Sequence, residues 1–171
     1  MRHSVWNLPS ISSVILAIFS LSAAAQTCVV PNPNMQSDDK VNLRAQPTTQ
    51  SQILAQLADN EEKLDFLGKQ GNWFHVRRLY SGRHVDGYIH KSQGYLLHGY
   101  IVSSRDGYAN VREAYKSGVE MGEPPIGKLR IGTQVWVRPE WNEGNWLYVI
   151  KPLEGLVHKS QLRRATSGYC Q

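Results

Sequence analysis

The chain contains 171 residues, of which 41% are hydrophobic and 19% are charged, and its mean hydropathy is -0.41. This composition is typical of a folded chain and not of a disordered or fibrous one, and the length excludes a large enzyme barrel. Lysine and arginine outnumber aspartate and glutamate by 19 to 14, which gives a net charge of +5. The basic residues are spread along the chain without a block, so the charge gives little support to nucleic-acid binding.

The N-terminal segment 1–25 has the pattern of a signal peptide. Arg2 precedes an uncharged, apolar run from Ile11 to Ala25, which is short for a membrane span. The run ends in three small residues, Ala23 to Ala25, of the kind that a signal peptidase requires, so we expect cleavage after Ala25. The alternative is an uncleaved membrane anchor. With cleavage, the sequence predicts a periplasmic or secreted protein without stable membrane insertion.

The sequence contains two cysteines, Cys28 and Cys170. Thiols tend to pair in the oxidising compartment that export implies, and two cysteines allow one pairing. We therefore expect a disulfide that closes almost the whole exported chain into one loop; the alternative is two unpaired thiols near the ends. No zinc-binding or redox spacing accompanies them.

Three sequence blocks occur twice, in the same order, which indicates two copies of one fold. The first pair is Val41-Asn42-Leu43-Arg44 and Ala109-Asn110-Val111-Arg112. The second pair is Gly71-Asn72-Trp73-Phe74-His75-Val76 and Gly144-Asn145-Trp146-Leu147-Tyr148-Val149. The third pair is Gly87-Tyr88-Ile89-His90-Lys91-Ser92-Gln93 and Gly155-Leu156-Val157-His158-Lys159-Ser160-Gln161.

Short runs rich in Val, Ile, Leu, Trp and Tyr alternate with turn residues in both copies, which favours strands over helices. Only the stretch from Gln50 to Asn60 has some helical character, and its proline-containing counterpart from Pro124 to Leu129 does not, so we expect both to be extended. About five short strands per copy suit a small, partly open barrel. The predicted fold class is all-β.

The repeated blocks resemble the bacterial type of Src homology 3 (SH3) domain, which occurs in exported cell-wall and periplasmic proteins. The motifs that carry the resemblance in the first copy are Asn42-Leu43-Arg44, Pro47-Thr48-Thr49, Ile53 to Leu57, Gly71-Asn72-Trp73 through Val76, and Gly87-Tyr88-Ile89-His90. The resemblance implies two small SH3-like β-barrels in tandem. Because the residues between them, Tyr95 to Leu97 and Tyr100 to Val102, are apolar, we expect the two barrels to pack against each other.

This interpretation divides the chain into five parts. The parts are a signal peptide (1–25), an N-terminal segment (26–37), a first SH3-like domain (38–98), a second SH3-like domain (99–166) and a C-terminal tail (167–171).

The sequence contains no nucleophile, metalloprotease or phosphate-loop motif, so we expect no enzyme activity, no cofactor and no metal. His90 and His158 occupy equivalent positions, which favours turn residues with local ring hydrogen bonds over metal ligands. Trp73 and Trp146 are also equivalent, which favours core or half-buried barrel residues over ligand-stacking residues.

Candidate binding residues are those that differ between the copies, because unmatched loops often carry function. Two such segments are the longer hairpin of the first copy, residues 77–86, and an insertion from Tyr115 to Glu123 in the second. Arginines beside an aromatic suit carboxylates of peptidoglycan peptides or an acidic protein, and a loop tryptophan suits a contact. A solvated strand face and a barrel cap are the structural alternatives. The predicted partner-binding residues in unmatched parts are Arg77, Arg78, Tyr80, Arg83, His84 and Trp141, and a groove lined by Tyr88 and Tyr108 is the alternative place for the site.

The resemblance implies a non-catalytic binding protein that recognises peptidoglycan peptide or a periplasmic protein through its SH3-like domains. The alternative is an immunity or inhibitor protein that blocks a secreted, cell-wall-degrading enzyme, with the basic hairpin steering association.

Overall fold

The computed structural model describes residues 25–32, 40–57, 63–114, 124–166 and 170. The described chain is almost entirely β-structure, which confirms the predicted fold class. Its strands are β1 (Thr27–Pro31), β2 (Val41–Arg44), β3 (Ile53–Leu57), β4 (Leu64–Gln70), β5 (Trp73–Tyr80), β6 (Arg83–His90), β7 (Gly94–Val102), β8 (Tyr108–Val111), β9 (Gly127–Arg130), β10 (Gln134–Val137), β11 (Trp146–Lys151), β12 (Gly155–His158) and β13 (Leu162–Arg164).

The first half of the chain is an antiparallel arrangement of short, amphipathic strands. β4, β5 and β6 form a meander, and the β2–β3 hairpin joins β6 where Arg44 pairs with Tyr88. Ser81 and Gly82 have positive φ angles of 48° and 75°, which gives the tight β5–β6 turn the twist that its strands require. Alternate side chains from these strands and β1 bury one core, formed by Val29, Val41, Leu43, Leu57, Leu64, Phe74, Val76 and Ile89.

The second half repeats this arrangement strand by strand. β8 and β9 form a hairpin, β10 pairs with β11, and β11 pairs with β12. Arg112 forms a bridge with Leu156, which corresponds in the repeat to the contact between Arg44 and Tyr88. A separate core fills this half, formed by Val102, Ala109, Val111, Leu129, Val135, Val137, Leu147, Val149, Val157 and Leu162.

One strand, β7, belongs to both halves. Its first residues, from Gly94 to His98, pair with β1, whereas its last residues, from Tyr100 to Val102, pair with β13. β10 also pairs with β7 from His98 to Ile101, so one hydrogen-bonded sheet runs through both halves in the order β12-β11-β10-β7-β1-β4-β5-β6-β2-β3. The boundary expected between residues 98 and 99 therefore falls inside a continuous strand.

A third cluster of buried side chains lies where the halves meet. It consists of Cys28, Val30, Leu97 and Trp136, with Tyr95, Ile150 and Cys170 packed against it. Cys28 and Cys170 form a disulfide, as the sequence predicted, and the backbone N–H of Cys170 donates to a carboxylate oxygen of Asp65 at 2.9 Å. The predicted contact between the halves is thus present, and the disulfide lies inside it.

The N-terminal segment 26–37, which the sequence analysis places outside the first domain, contains the strand β1. β1 pairs with both β4 and β7, and it contributes Val29 to the first core. The proposed signal peptide, apart from Ala25, and the insertion from Tyr115 to Glu123 lie outside the described residues. Within the described ranges, no helix is long and apolar enough to cross a membrane.

Candidate functional site

The outer face of β5 and β6 carries an open notch next to the loop that joins β2 and β3. Trp73 faces His90 across the two strands, with ring centroids 5.0 Å apart and the rings nearly perpendicular. A cavity of about 470 Å³ opens beside this pair and is lined by Pro47, Thr48, Thr49, Gln70, Gly71, Asn72, Trp73 and His90. A neighbouring cavity of about 220 Å³ adds Asn42, Arg44, Ser92 and Gln93. We call this site, centred on Arg44, Trp73 and His90, the Trp73 notch.

Strand alternation places these side chains outside the barrel. Phe74 and Val76 point into the first core, so Trp73, one position before Phe74, lies half-buried on the opposite face. His90 is fixed by the turn that follows it: its Nδ1 accepts a hydrogen bond from the Ser92 backbone N–H at 3.3 Å and lies 2.7 Å from the Ser92 hydroxyl. The predicted turn role of His90 is confirmed.

The second half repeats the arrangement of the three central side chains with equivalent residues. Trp146 and His158 have ring centroids 5.2 Å apart, again nearly perpendicular, and His158 Nδ1 accepts from the Ser160 backbone N–H at 3.4 Å. The Arg112 guanidinium lies 5.9 Å from the centre of the Trp146 ring. We call Arg112, Trp146 and His158 the Trp146 notch.

Each notch combines an indole, an imidazole and an arginine at one surface point. In the first notch, Arg44 donates one hydrogen bond to the Ser51 carbonyl at 2.8 Å, which holds the guanidinium beside the cavity. A half-buried indole offers apolar and stacking surface, and a guanidinium pairs well with carboxylates. Such a site can bind a short peptide. Among the described residues there is no group of three or more His, Cys, Asp or Glu side chains placed to hold a metal ion.

Beyond the Trp73 notch, the same face of β5 and β6 continues as two more cross-strand pairs. His75 stacks on Tyr88 with ring centroids 4.7 Å apart, and Arg77 makes a two-pronged ion pair with Asp86, each contact 2.8 Å long. The hydrogen bond from Arg77 holds the pKa of the Asp86 carboxyl below its ordinary value. Of the predicted partner-binding residues, Tyr88 and Arg77 therefore have partners within the sheet.

The other predicted binding residues of the hairpin lie near its tip. The Arg78 guanidinium lies 4.7 Å from the centre of the Tyr80 ring, and Tyr80 is 58% exposed. Arg83 pairs with Tyr80 across the turn, and both Arg83 and His84 are exposed. The structure brings Arg78, Tyr80 and Arg83 together on one face of the hairpin, whereas His84 pairs with Leu79 on the other face.

Tyr108 lies apart from this hairpin, in the β8–β9 sheet, where the Lys128 ammonium is 4.1 Å from its ring centre. Tyr88 and Tyr108 lie in different sheets and have different ring partners. A groove lined by both residues stays a prediction.

Trp141 ends a short 3₁₀ turn and is 47% exposed. The Arg138 guanidinium lies 3.9 Å from the centre of its ring, and the Tyr148 ring meets it edge-on at 5.0 Å. Tyr148 donates a hydrogen bond to Glu154, and this bond, with burial as the next cause, raises the pKa of Tyr148 to about 12. Trp141 is thus an exposed ring that Arg138 and Tyr148 hold in place.

Sequence reasoning treated Trp73 and Trp146 as structural residues and did not consider Arg44 or Arg112 as site residues. Both tryptophans are half-buried, which agrees with that expectation, but they lie outside the two buried cores. The sequence feature that could have indicated this site is the recurrence of an arginine, a tryptophan and a histidine at equivalent positions of both copies. Repetition alone could not reveal the site, because it is expected of structural and binding residues alike.

Comparison with known proteins agrees with the first half of the fold. The family model described as "Bacterial SH3 domain" matches residues 39–101. Two solved structures from Trichomonas vaginalis are similar at low identity: NlpC2, 14% identical with a TM-score of 0.36, and NlpC1, 15% identical with a TM-score of 0.38. The matches cover 81% and 91% of this chain, but only 48% and 51% of the two structures, so the chain spans about half of their length. No curated protein matches the sequence.

Together, the strand order, the repeated motifs and this match show that residues 39–101 are similar to a bacterial SH3 domain.

Proposed function

We propose that this chain is a non-catalytic, exported binding protein that recognises cell-wall peptide through two SH3-like halves. The observation that carries the proposal is the repeated notch: an indole, a turn-fixed imidazole and an arginine stand at equivalent places in both halves. The bacterial SH3 match supports this class of function for the first half. The strand-by-strand repetition supports a second domain of the same type, residues 99–166.

The chemistry of the notch favours a peptide with a free carboxylate. Arg44 and Arg112 supply a guanidinium to each notch, and the tryptophan beside it covers an apolar or flat group of the ligand. Peptides of peptidoglycan carry free carboxylates on short, extended chains. A single open notch of this size is expected to bind weakly, because a small contact area offsets little of the entropy lost on binding.

Two notches in one protein raise the affinity for a repeating polymer. Since β7 runs unbroken through both halves, it holds the notches in a fixed relation, so binding at one site brings the other to a high local concentration of ligand. A cell wall presents such a polymer outside the cytoplasm. The disulfide supports an oxidising location, and the proposed signal peptide, residues 1–25, would provide the export.

Sedimentation with purified peptidoglycan sacculi tests the proposal. The exported chain should co-sediment, Trp73→Ala and Trp146→Ala should each weaken binding, and the double variant should lose most of it. Ile131→Ala is the control, since it removes an exposed apolar side chain outside both notches. Circular dichroism and the melting temperature establish that each variant is folded. Absence of co-sedimentation, or full binding by the folded double variant, would contradict the proposal.

The alternative function, an inhibitor or immunity protein for a cell-wall-degrading enzyme, is favoured by one observation. The β5–β6 hairpin is longer than its β11–β12 counterpart and ends in exposed Leu79 and Tyr80, each 58% exposed. A pull-down with the chain from an extract that contains soluble cell-wall hydrolases tests it: retention of one hydrolase, without co-sedimentation with sacculi, would support this function.

A further inference from the structure

The inner side of the β5–β6 hairpin forms a surface distinct from the notches. Phe74 and Val76 point into the core, and alternation continues the same face through Arg78 and Tyr80, beyond the end of the barrel. The Trp73 notch lies on the opposite face of β5. A ligand at one surface therefore leaves the other accessible.

This surface contains a cavity and an unusual share of exposed apolar side chains. A cavity of about 360 Å³ is lined by Leu54, Ala55, Gln56, Arg78, Tyr80 and Val85. We call these six residues the hairpin surface. Within it, Leu54 is 40% exposed and Tyr80 is 58% exposed. Contiguous exposed apolar side chains around a depression are typical of a protein interaction site.

A one-residue irregularity in β3 directs Leu54 toward this cavity. Leu43 pairs with Ala55 and Arg44 pairs with Ile53, so Leu54 is the extra residue of a β-bulge between them. Strand bulges commonly re-aim one side chain. In the second half, Gly127 of β9 corresponds to Ala55, the β8–β9 register is regular, and the exposed Ile126 stands at the place of Leu54.

Two arginines of the hairpin lie at this cavity. Arg78 lies over the Tyr80 ring within the cavity wall, and Arg83 pairs with Tyr80 at the tip. The nearby carboxylate, Asp86, is engaged by Arg77 on the opposite face. A partner that places carboxylates over Arg78 and Arg83 would therefore meet complementary charge.

We propose that the hairpin surface is a docking site for a protein partner that presents an apolar side chain flanked by carboxylates. The apolar side chain enters the cavity between Leu54, Tyr80 and Val85, and the carboxylates pair with Arg78 and Arg83. Aromatic and arginine residues are the types that most often dominate the binding energy of such contacts.

Defined peptides test the proposal by chemical-shift mapping on the full isotope-labelled chain. The probe is Ac-EELFEE-NH2, and the two comparison peptides are Ac-KKLFKK-NH2, with reversed charge, and Ac-EESGEE-NH2, without the apolar pair. The probe should shift resonances of residues 54–56 and 78–85, and both comparison peptides should bind at least about tenfold more weakly.

Variants separate the contributions of shape and charge. Leu54→Ser with Tyr80→Ser should weaken binding of the probe about fivefold or more, and Arg83→Glu should weaken it independently at a turn position where the fold is not at risk. The matched control is Ile131→Ser, which removes a 60% exposed apolar residue from a turn of the second half and should leave binding unchanged.

Three results would overturn the docking site: equal binding of the apolar-free acidic peptide, shifts centred on Trp73 and His90, or no shifts at millimolar probe. None of these results depends on whether the chain binds sacculi, so the two proposals fail separately.

Discussion

Gly87 and Gly155 occupy the same position in the two repeats, at the point where two strands approach most closely. A Cβ at Gly87 would lie 2.8 Å from Leu43 Cδ1 and 2.9 Å from the Arg44 carbonyl oxygen. A Cβ at Gly155 would lie 2.5 Å from the Arg112 carbonyl oxygen, and its φ of 148° also favours glycine. The glycine of the third repeated block is therefore required for closure of each half.

Replacing Gly87 by alanine should destabilise the protein by about 1 to 3 kcal/mol, because the added methyl group overpacks the contact with β2. Gly68→Ala is the matched control, since a Cβ at Gly68 meets no atom within 4 Å. Denaturant unfolding of both variants measures the difference. Equal midpoints would show that the strands move apart without cost.

His98, on the shared strand β7, should make the stability depend on pH. Burial, with the charge of Arg164 as the second cause, lowers the pKa of His98 from 6.5 to about 4 in the folded protein. In the unfolded chain the ordinary pKa of 6.5 applies, so the unfolded state takes up the proton first as the pH falls. The stability present above about pH 6.5 is therefore lost progressively down to about pH 4.

Unfolding of the native protein and of His98→Gln, measured at pH 7 and at about pH 4.5, tests this dependence. The variant should lose less stability over that range than the native protein does. The Asp86 carboxyl, with its lowered pKa, contributes only at more acidic pH, below its ordinary value of 3.8. Parallel loss of stability in both proteins would contradict the assignment to His98.

Among the elements, β7 explains where sequence reasoning succeeded and where it could not. The repeated blocks predicted the strands around Trp73, Trp146 and both histidines, because each short apolar run is bounded by turn residues. They could not reveal β1, whose five residues have no copy among the blocks and follow the proposed export segment. They also could not show that the apolar junction is a single strand used twice, since pairing partners are not encoded locally.

The matched range 39–101 should fold poorly on its own, because it lacks β1. Without β1, the buried residue Val29 leaves the first core, and β4 and the start of β7 lose their pairing partner. A fragment of residues 26–102 with Cys28→Ser should show a cooperative thermal transition by circular dichroism. A fragment of residues 39–101 should not, and equally cooperative melting of both would show that β1 is dispensable.

At the scale of the whole molecule, the disulfide and the shared strand act at the same place. Cys28 lies in β1 and is fully buried beside Leu97 of β7, and its bond to Cys170 closes a loop across 142 positions. The two halves are thus joined by hydrogen bonds, by packing around Trp136 and by a covalent link.

Reduction of this bond should lower the free energy of unfolding by about 4 to 5 kcal/mol if loop closure in the unfolded chain dominates. The folded protein should retain its β-sheet circular dichroism after reduction, because the junction keeps its strand pairing. Denaturant unfolding with and without reductant, and of Cys28→Ser with Cys170→Ser, measures the effect. An unchanged midpoint would show that the unfolded chain gains no freedom on reduction.

The shared strand also bears on the history of the repeat. Two copies joined by a linker can be lost, duplicated or moved between genes one at a time, because each carries every strand that it needs. Here the first copy ends and the second begins on the same nine residues of β7. Deletion of either copy would leave the other with an unpaired strand edge. Insertions and recombination points between the copies should therefore be rare among proteins that share this arrangement.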